Sequence, residues 1–472
     1  MIVGSAALLV VRAIEAGVRP QRMRLPFRFG ANTLHACPQL FVRVDAEVEG
    51  HGMAQGYAAE LMMPKWFDKR VALAPAINIE HLALSVQHAM DAYLNDAPAT
   101  PFGLFTRHYS ALLEQGQQHD LTELSVAFGQ SLLDRAVLDA LCRALYVSFF
   151  DAARHNQLGF TDTSLADDMR GWDWSGWLAQ LEPLRAIQVR HTVGLLDPLD
   201  GVHYGADGLP TSLPAVIETY GHRFFKIKVG GDPADDLVRL RAVLDVLRQC
   251  SAGFQYTLDG NEQYADPRAL HELTAGLHDL PKPLYVEQPL PRDQSLAAAL
   301  PADPVADSAL PLLMDEADGT VDAFVRGRRV GWTGVSSKAC KGMYKSLLNR
   351  ARCEHWNHEE GTRRYFMSAE DLTCQAGICV QQDLALVSLL GLTHCERNGH
   401  HYGDATASVT ATERRAFSAA HPDLYGANAS QLRLHITQGA VRIDSLFKPG
   451  FAHDANPDFR FLQPLAAAAA LL

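Results

Sequence analysis

FFKIKVGG (224–231) decides how this chain is read. A short apolar run carries two lysines one residue apart and ends in a glycine turn, which is a strand with two ammonium groups on one face. Four runs of the same build follow: YTLDGNEQY (256–264), LYVEQPL (284–290), LLMDEAD (312–318) and GVSSKACKG (334–342). Their charged residues are Asp259, Glu287, Asp315 and Lys338, each 23 to 31 residues after the last. That interval holds one strand, one helix and two loops. Alternating β and α units specify a parallel sheet, and charges at the C-terminal ends of its strands mark a site at the mouth of a (β/α) barrel.

Three carboxylates and three lysines would be costly to bury together without a purpose. A divalent metal flanked by bases supplies one. Asp259, Glu287 and Asp315 suit a hard cation with oxygen ligands, Mg²⁺ before Zn²⁺. Glu316 would point the other way on a strand and is the second choice as third ligand. Lys226 and Lys228 share a face, so their repulsion predicts a lowered pKa for at least one, and hence a neutral amine base.

Outward from this region, eight strands are available between about 190 and 398, from RHTVGLLDPL near His191 to LTHCE. Residues 189–414 therefore read as the barrel. Residues 1–150 read as an α+β domain, with strands from about 20 to 65 followed by helices, completed by about 415–472. The Trp-containing stretch at 151–188 reads as a linker or insertion. A net charge of −12 without a long Lys/Arg run argues against nucleic acid as a partner. No stretch reaches the length of a membrane span. Eight scattered cysteines without a CxxC pair read as reduced thiols of a cytoplasmic protein.

The set KxK, then Asp, Glu and Asp on the next three strands, then Lys on the sixth, resembles the enolase superfamily, and within it the muconate-lactonizing-enzyme type. The resemblance implies a modified TIM barrel, (β/α)7β, with an N-terminal capping domain whose loops close over the substrate. It implies Mg²⁺ on Asp259, Glu287 and Asp315, with Lys228 and Lys338 facing each other across a carboxylate substrate. Lys226 would support them and contact the substrate carboxylate, and Asn261 would stand near the metal. A homo-oligomer is the common assembly in the superfamily.

The implied chemistry is abstraction of the α-proton of a carboxylate to give an enediolate. Racemisation, epimerisation or cycloisomerisation would follow; alternatives are a sugar-acid or hydroxy-acid dehydratase and a non-catalytic binder on the same fold. Strand seven reads FMSAEDLT (366–373), so the His–Asp base of the mandelate-racemase type is absent. Glu370 there is a candidate for a polar substrate group or for a helix cap, and Glu396 on strand eight for the substrate carboxylate. His400 and His401 read as a solvated loop pair. Arg28, Asn32, Thr33 and His35, within a candidate lid at 27–37, suggest a polar substrate.

Overall fold

The computed structural model describes residues 6–30, 32–264, 267–297, 310–404, 409–426, 431–452 and 454–472. Its first sheet is antiparallel. Strands β1 (Leu9–Phe29), β2 (Asn32–Val48) and β3 (Gly52–Leu61) lie in order, and β1 starts earlier than the sequence suggests. Over LFVRVDAEV the alternation of apolar and polar residues keeps Phe41, Val42, Val44, Ala46 and Val48 buried.

Helices α1 (Pro75–Tyr93), α2 (Pro101–Gln118) and α3 (Glu123–Ala144) cover this sheet. Thr100 and Thr122 cap α2 and α3, accepting hydrogen bonds from the amides of Gly103 and Ser125. Helix α3 presses so close to β3 that a Cβ on Gly56 would stand 2.0 Å from the Ala136 carbonyl oxygen. It also joins the sheet to the barrel. Ser131 donates to the Cys340 carbonyl at 3.0 Å, and Arg135 reaches Gln382.

The barrel is closed and parallel. Its eight strands are β4 (Ala186–Val193), β5 (Phe224–Lys228), β6 (Gln255–Asp259), β7 (Val286–Glu287), β8 (Leu312–Met314), β9 (Gly334–Ser337), β10 (Phe366–Ala369) and β11 (His394–Glu396). They pair in chain order, and β11 returns to β4. The strand period of two explains which side chains meet. Phe225, Ile227, Tyr256 and Leu258 pack outward against Leu240, Val243, Leu244 and Leu247 of the helix Pro233–Cys250. Each such side chain removed from water contributes roughly 1.5–3 kcal/mol. Their neighbours Lys226, Lys228, Thr257 and Asp259 are thereby turned to the barrel axis.

After the barrel, β12 (Ala440–Arg442) pairs antiparallel with β4, and β13 (Gln463–Pro464) with β1. The segment before the barrel is packed. Phe160, Trp174 and Trp177 are buried, and Asp168 takes two hydrogen bonds of 2.8 Å from Arg352. Seven of the eight cysteines are buried and Cys250 is exposed; all are free. Among the described residues, no helix is long and apolar enough to cross a membrane.

Candidate active site

Strands β5 to β11 deliver their last inward side chains to one mouth. Register places Lys228 beside Asp259 and Asp259 beside Glu287, so these three stand on adjacent strands at one level. Asp315 and Lys338 follow β8 and β9 directly. In a closed ring of eight, β5 and β9 are four strands apart. Lys228 and Lys338 therefore come from opposite sides, with the three acids on the strands between. All five are buried.

The charges are closely matched. Lys228 Nζ lies 2.6 Å from Asp259 Oδ2 and 2.7 Å from Asn261 Oδ1. Asn261 adopts the left-handed region (φ 41°), which Asn tolerates, and this folds its side chain back onto Lys228. Lys338 Nζ donates to Asp315 Oδ2 at 2.6 Å, and Trp66 stacks over the same ammonium at 4.3 Å. Lys226 Nζ sits among four carboxylates: Asp259 at 2.9 Å, Glu287 at 2.8 Å, and Glu370 and Glu396 at 2.9 Å each.

These contacts overturn the lowered lysine pKa for Lys226. Burial alone would push its ammonium down, but the four carboxylates outweigh burial and hold it well above the ordinary lysine value. Lys338 behaves the same way, with Asp315 as the main partner. Among the acids, burial acts upward. Asp259 is nevertheless held low by Lys226 and Lys228, and Asp315 by Lys338 and Lys341. Glu287 is the exception. Burial, then Asp259 and Glu370, push it well above the usual carboxylate range, because one ammonium shared four ways offsets too little. Both Glu287 carboxylate oxygens stand 2.8 Å from Lys226 Nζ.

By chemistry the three acids fit a hard cation, since all are buried carboxylates at the ends of adjacent strands and Glu287 among them is poorly compensated. Their oxygens are not drawn to one point, however. Among the described residues, the groups of three His, Cys, Asp or Glu ligand atoms within 4.8 Å of one another lie elsewhere. Glu316 points away, as its place on the strand implies, and accepts from Lys69 at 3.0 Å and from Asn261 at 3.2 Å.

A cleft opens beside the lysines, and Lys226, Lys228, Lys338, Asn261 and Glu396 line it. Glu396 also accepts from Thr192, Asn398 and the Asp371 amide. Glu370 is not on the cleft wall. Its carboxylate is enclosed by Arg190, Lys226, Tyr285 and Ser368 one layer deeper. The capping role weighed for Glu370 falls to Asp371, which accepts from the amides of Cys374, Asn398 and Gly399.

Sequence reasoning missed Arg190, Tyr285 and Gln288. The first two hold Glu370. Gln288 Oε1 accepts from the amides of Asp315 and Ala317 at 2.9 and 3.0 Å and so fixes the turn that carries Asp315. A glutamine directly after the strand-end Glu287 was the available signal.

The lid differs from its reading. Phe27, Phe29, Met63 and Trp66 roof the cleft. Asn32, Thr33 and His35 line a separate hollow with Pro64 and Lys65, and Arg28 turns to the Gly30 carbonyl. Ala31 lies outside the described residues. The cap is fastened by Lys69, bonded to the Asn261 carbonyl at 2.7 Å and to Glu262 at 2.6 Å, and by Arg292, bonded to the Trp66 and Phe67 carbonyls at 2.8 Å. His400 and His401 are not solvated. The short helix Gly399–Tyr402 buries both, because Gly399 packs against the Cys374 carbonyl, where a Cβ would come within 2.2 Å.

Residues 211–345 match the family described as Enolase C-terminal domain-like. The matched stretch runs from the segment before β5 into the helix that follows β9, so it lies within the barrel. Among solved structures it is similar over nearly its whole length to a muconate lactonizing enzyme from Mycobacterium smegmatis complexed with muconolactone. Identity there is 18%, TM-score 0.61, and coverage 96% of this chain and 98% of that one. An N-succinyl Arg/Lys racemase from Bacillus cereus is 15% identical, with TM-score 0.58 and coverage of 97% and 98%. A dipeptide epimerase from Enterococcus faecalis complexed with Mg and a dipeptide is 13% identical, with TM-score 0.58 and coverage of 94% and 99%. At these identities the likeness is one of fold. No curated protein matches the sequence.

Proposed function

We infer that the protein is a Mg²⁺-dependent enzyme that abstracts the α-proton of a small carboxylic acid, with Lys228 and Lys338 as opposed acid and base. The observation that carries this reading is the placement of those lysines on strands four apart, both lining one cleft, with three buried carboxylates between them. Asp259, Glu287 and Asp315 would hold the cation. When bound, it supplies positive charge that offsets the charge growing on the substrate carboxylate.

The rest is the work of the chain. Lys226 presents a fixed ammonium at the cleft floor, where Asp259, Glu287, Glu370 and Glu396 keep it charged. Asn261 orients Lys228 through its side-chain oxygen. Trp66 covers Lys338 and keeps water from it. One lysine removes the proton from one face, and the other returns a proton to the opposite face, which is racemisation or epimerisation. If a substrate group closes or opens a ring instead, the same pair serves cycloisomerisation.

The roof narrows the substrate class. Phenyl and thioether groups offer no hydrogen-bond donor to a polyol, and the roof side chains hold a single donor, Trp66 Nε1, so the roof favours an acid with an apolar remainder over a sugar acid. This supports isomerase over dehydratase. The test is α-proton exchange in D₂O with Mg²⁺, across N-acylamino acids, dipeptides, lactones and sugar acids. Exchange with inversion, lost in Lys228→Ala and in Lys338→Ala, supports the reading. Loss of water from a hydroxy acid that survives one of the two substitutions would move it to dehydratase.

A further inference from the structure

Outside the mouth, on the flank where the last strand closes on the first, three imidazoles meet. His191 is turned outward from β4 because its neighbours Arg190 and Thr192 face the axis, to Glu370 and Glu396. His222 precedes β5. His400 comes from the segment after β11. One ring nitrogen from each lies within 4.8 Å of the others. The rings of His191 and His222 are 5.3 Å apart, and those of His222 and His400 are 6.4 Å apart.

None of this is ordinary histidine packing. The three residues are 1%, 1% and 7% exposed. Neither ring nitrogen of His222 or His400 has a hydrogen-bond partner of good geometry, nor has Nδ1 of His191. A buried imidazole without partners loses its hydrogen bonds to water and gains nothing in return. Burial also keeps the rings neutral, His222 being pushed down to about 3 with only the Val189 carbonyl acting the other way. Neutral imidazole is the form that binds a metal.

We propose that His191, His222 and His400 form a second metal site, which takes a borderline divalent transition ion such as Zn²⁺ and staples the closing seam of the barrel. Three nitrogen donors suit Zn²⁺ or Co²⁺ and not Mg²⁺ or Ca²⁺, so the site is chemically distinct from the carboxylates of the mouth. His401 is not a fourth ligand of this set, since its ligand nitrogen groups with His191 and Asp197 instead. Arg24 and Arg433 bond the backbone carbonyls of His401 and His400 and add positive charge nearby, which weakens the hold on a dication. The site supplies three nitrogen ligands.

The experiment uses the full chain, stripped with a chelator and then given Zn²⁺ or Co²⁺ in excess Mg²⁺ to fill the mouth. One equivalent of Zn²⁺ should be retained, Co²⁺ should give the absorption of a tetrahedral nitrogen site, and Zn²⁺ should raise the unfolding temperature by several degrees. His222→Gln and His400→Gln should each lose the retained Zn²⁺, while His51→Gln, at an exposed position, and Glu287→Gln should keep it. Should the histidine variants fail to fold, ring-nitrogen resonances of the wild type settle the matter: three histidines should shift on addition of Zn²⁺. No retained Zn²⁺ with unmoved ring signals, or retention undiminished in both histidine variants, would overturn the site and leave the cluster as neutral packing. Neither result bears on α-proton exchange.

Discussion

The barrel mouth and the core of the capping domain both bury carboxylates, and they treat them in opposite ways. At the mouth, Asp259, Asp315, Glu370 and Glu396 are held below the ordinary carboxylate range by Lys226, Lys228, Lys338, Lys341 and Arg190. On α3, burial pushes Asp134 up to about 8, against a hydrogen bond from Tyr93 and the charge of Arg135. On β3, burial pushes Glu60 up to about 7 despite Arg135. Both regions are equally dry. The difference lies in the number of cations per acid, and it teaches that burial alone does not mark a site. The mouth keeps charges it must neutralise with neighbours; in the cap, Asp134 and Glu60 are shifted toward the protonated form. Glu287 crosses the line, since it sits in the mouth but is raised like a cap residue, which is where an added cation has most to offset.

The largest test of that contrast is at the lysines. Lys228→Ala or Lys338→Ala should lower α-proton exchange by about 10²–10⁴-fold, the usual worth of a positioned acid or base. The fold should persist in both, as judged by circular dichroism. Retained exchange in either variant would break the claim that the matched charges of the mouth exist for chemistry.

Arg190 tests the structural side of the same matching. It is fully buried, bonded to Ser368 at 3.1 Å and to the Ala369 carbonyl at 3.0 Å, and paired with Glu370. Removing one partner of a buried pair leaves the other charge uncompensated, at a cost of about 3–5 kcal/mol. Arg190→Ala should lose stability of that order in urea unfolding. Adding Glu370→Gln should restore part of the loss, because the stranded charge is then gone.

How much of this was legible in the chain depends on where each residue sits. Strand-end charges stood out because each follows an apolar run at a steady interval. Arg190 and Tyr285 did not, since Arg190 lies inside β4, Tyr285 precedes β7, and their partners come from β10 and the residue after it, which only closure of the barrel brings near. The lid shows a subtler miss. Phe27 and Phe29 share one face of β1 and Arg28 the other, so period-two alternation already separated them. The register shift between Arg22 and Phe27 along the β1–β2 hairpin conceals which face meets the cleft. Burial of His400 and His401 rests on contacts with distant strands, and no local pattern announces it.

Glu287→Gln probes the residue that crosses between the two regimes. Since its carboxylate is the least compensated of the mouth, the neutral amide should cost the apo fold little. Mg²⁺ binding should weaken by at least ~10-fold, the lower end seen even for residues that only support a metal ligand. Calorimetric titration measures the change. Unaltered Mg²⁺ affinity would remove Glu287 from the proposed metal set and leave its raised pKa a matter of packing alone.

The last test is the pH dependence that separates cap from mouth. Asp134 titrates near 8 in the fold and near 3.8 in the unfolded chain. The folded state therefore holds its proton over that interval while the unfolded state does not, and stability falls as pH rises from about 4 to about 8. Glu396 has the reverse sign. Held at about 2 by Lys226 and Lys228 against burial, its contribution is present above the ordinary 4.5 and is lost as pH falls toward about 2. Asp134→Asn keeps the shape and can still accept the 2.6 Å hydrogen bond from Tyr93, but it cannot ionise. Its stability relative to wild type should therefore rise steadily from pH 4 to pH 8 in urea unfolding, with no change in its response below pH 4. A difference that stays flat across that range would mean Asp134 is ionised in the fold, and that cap and mouth treat their acids alike.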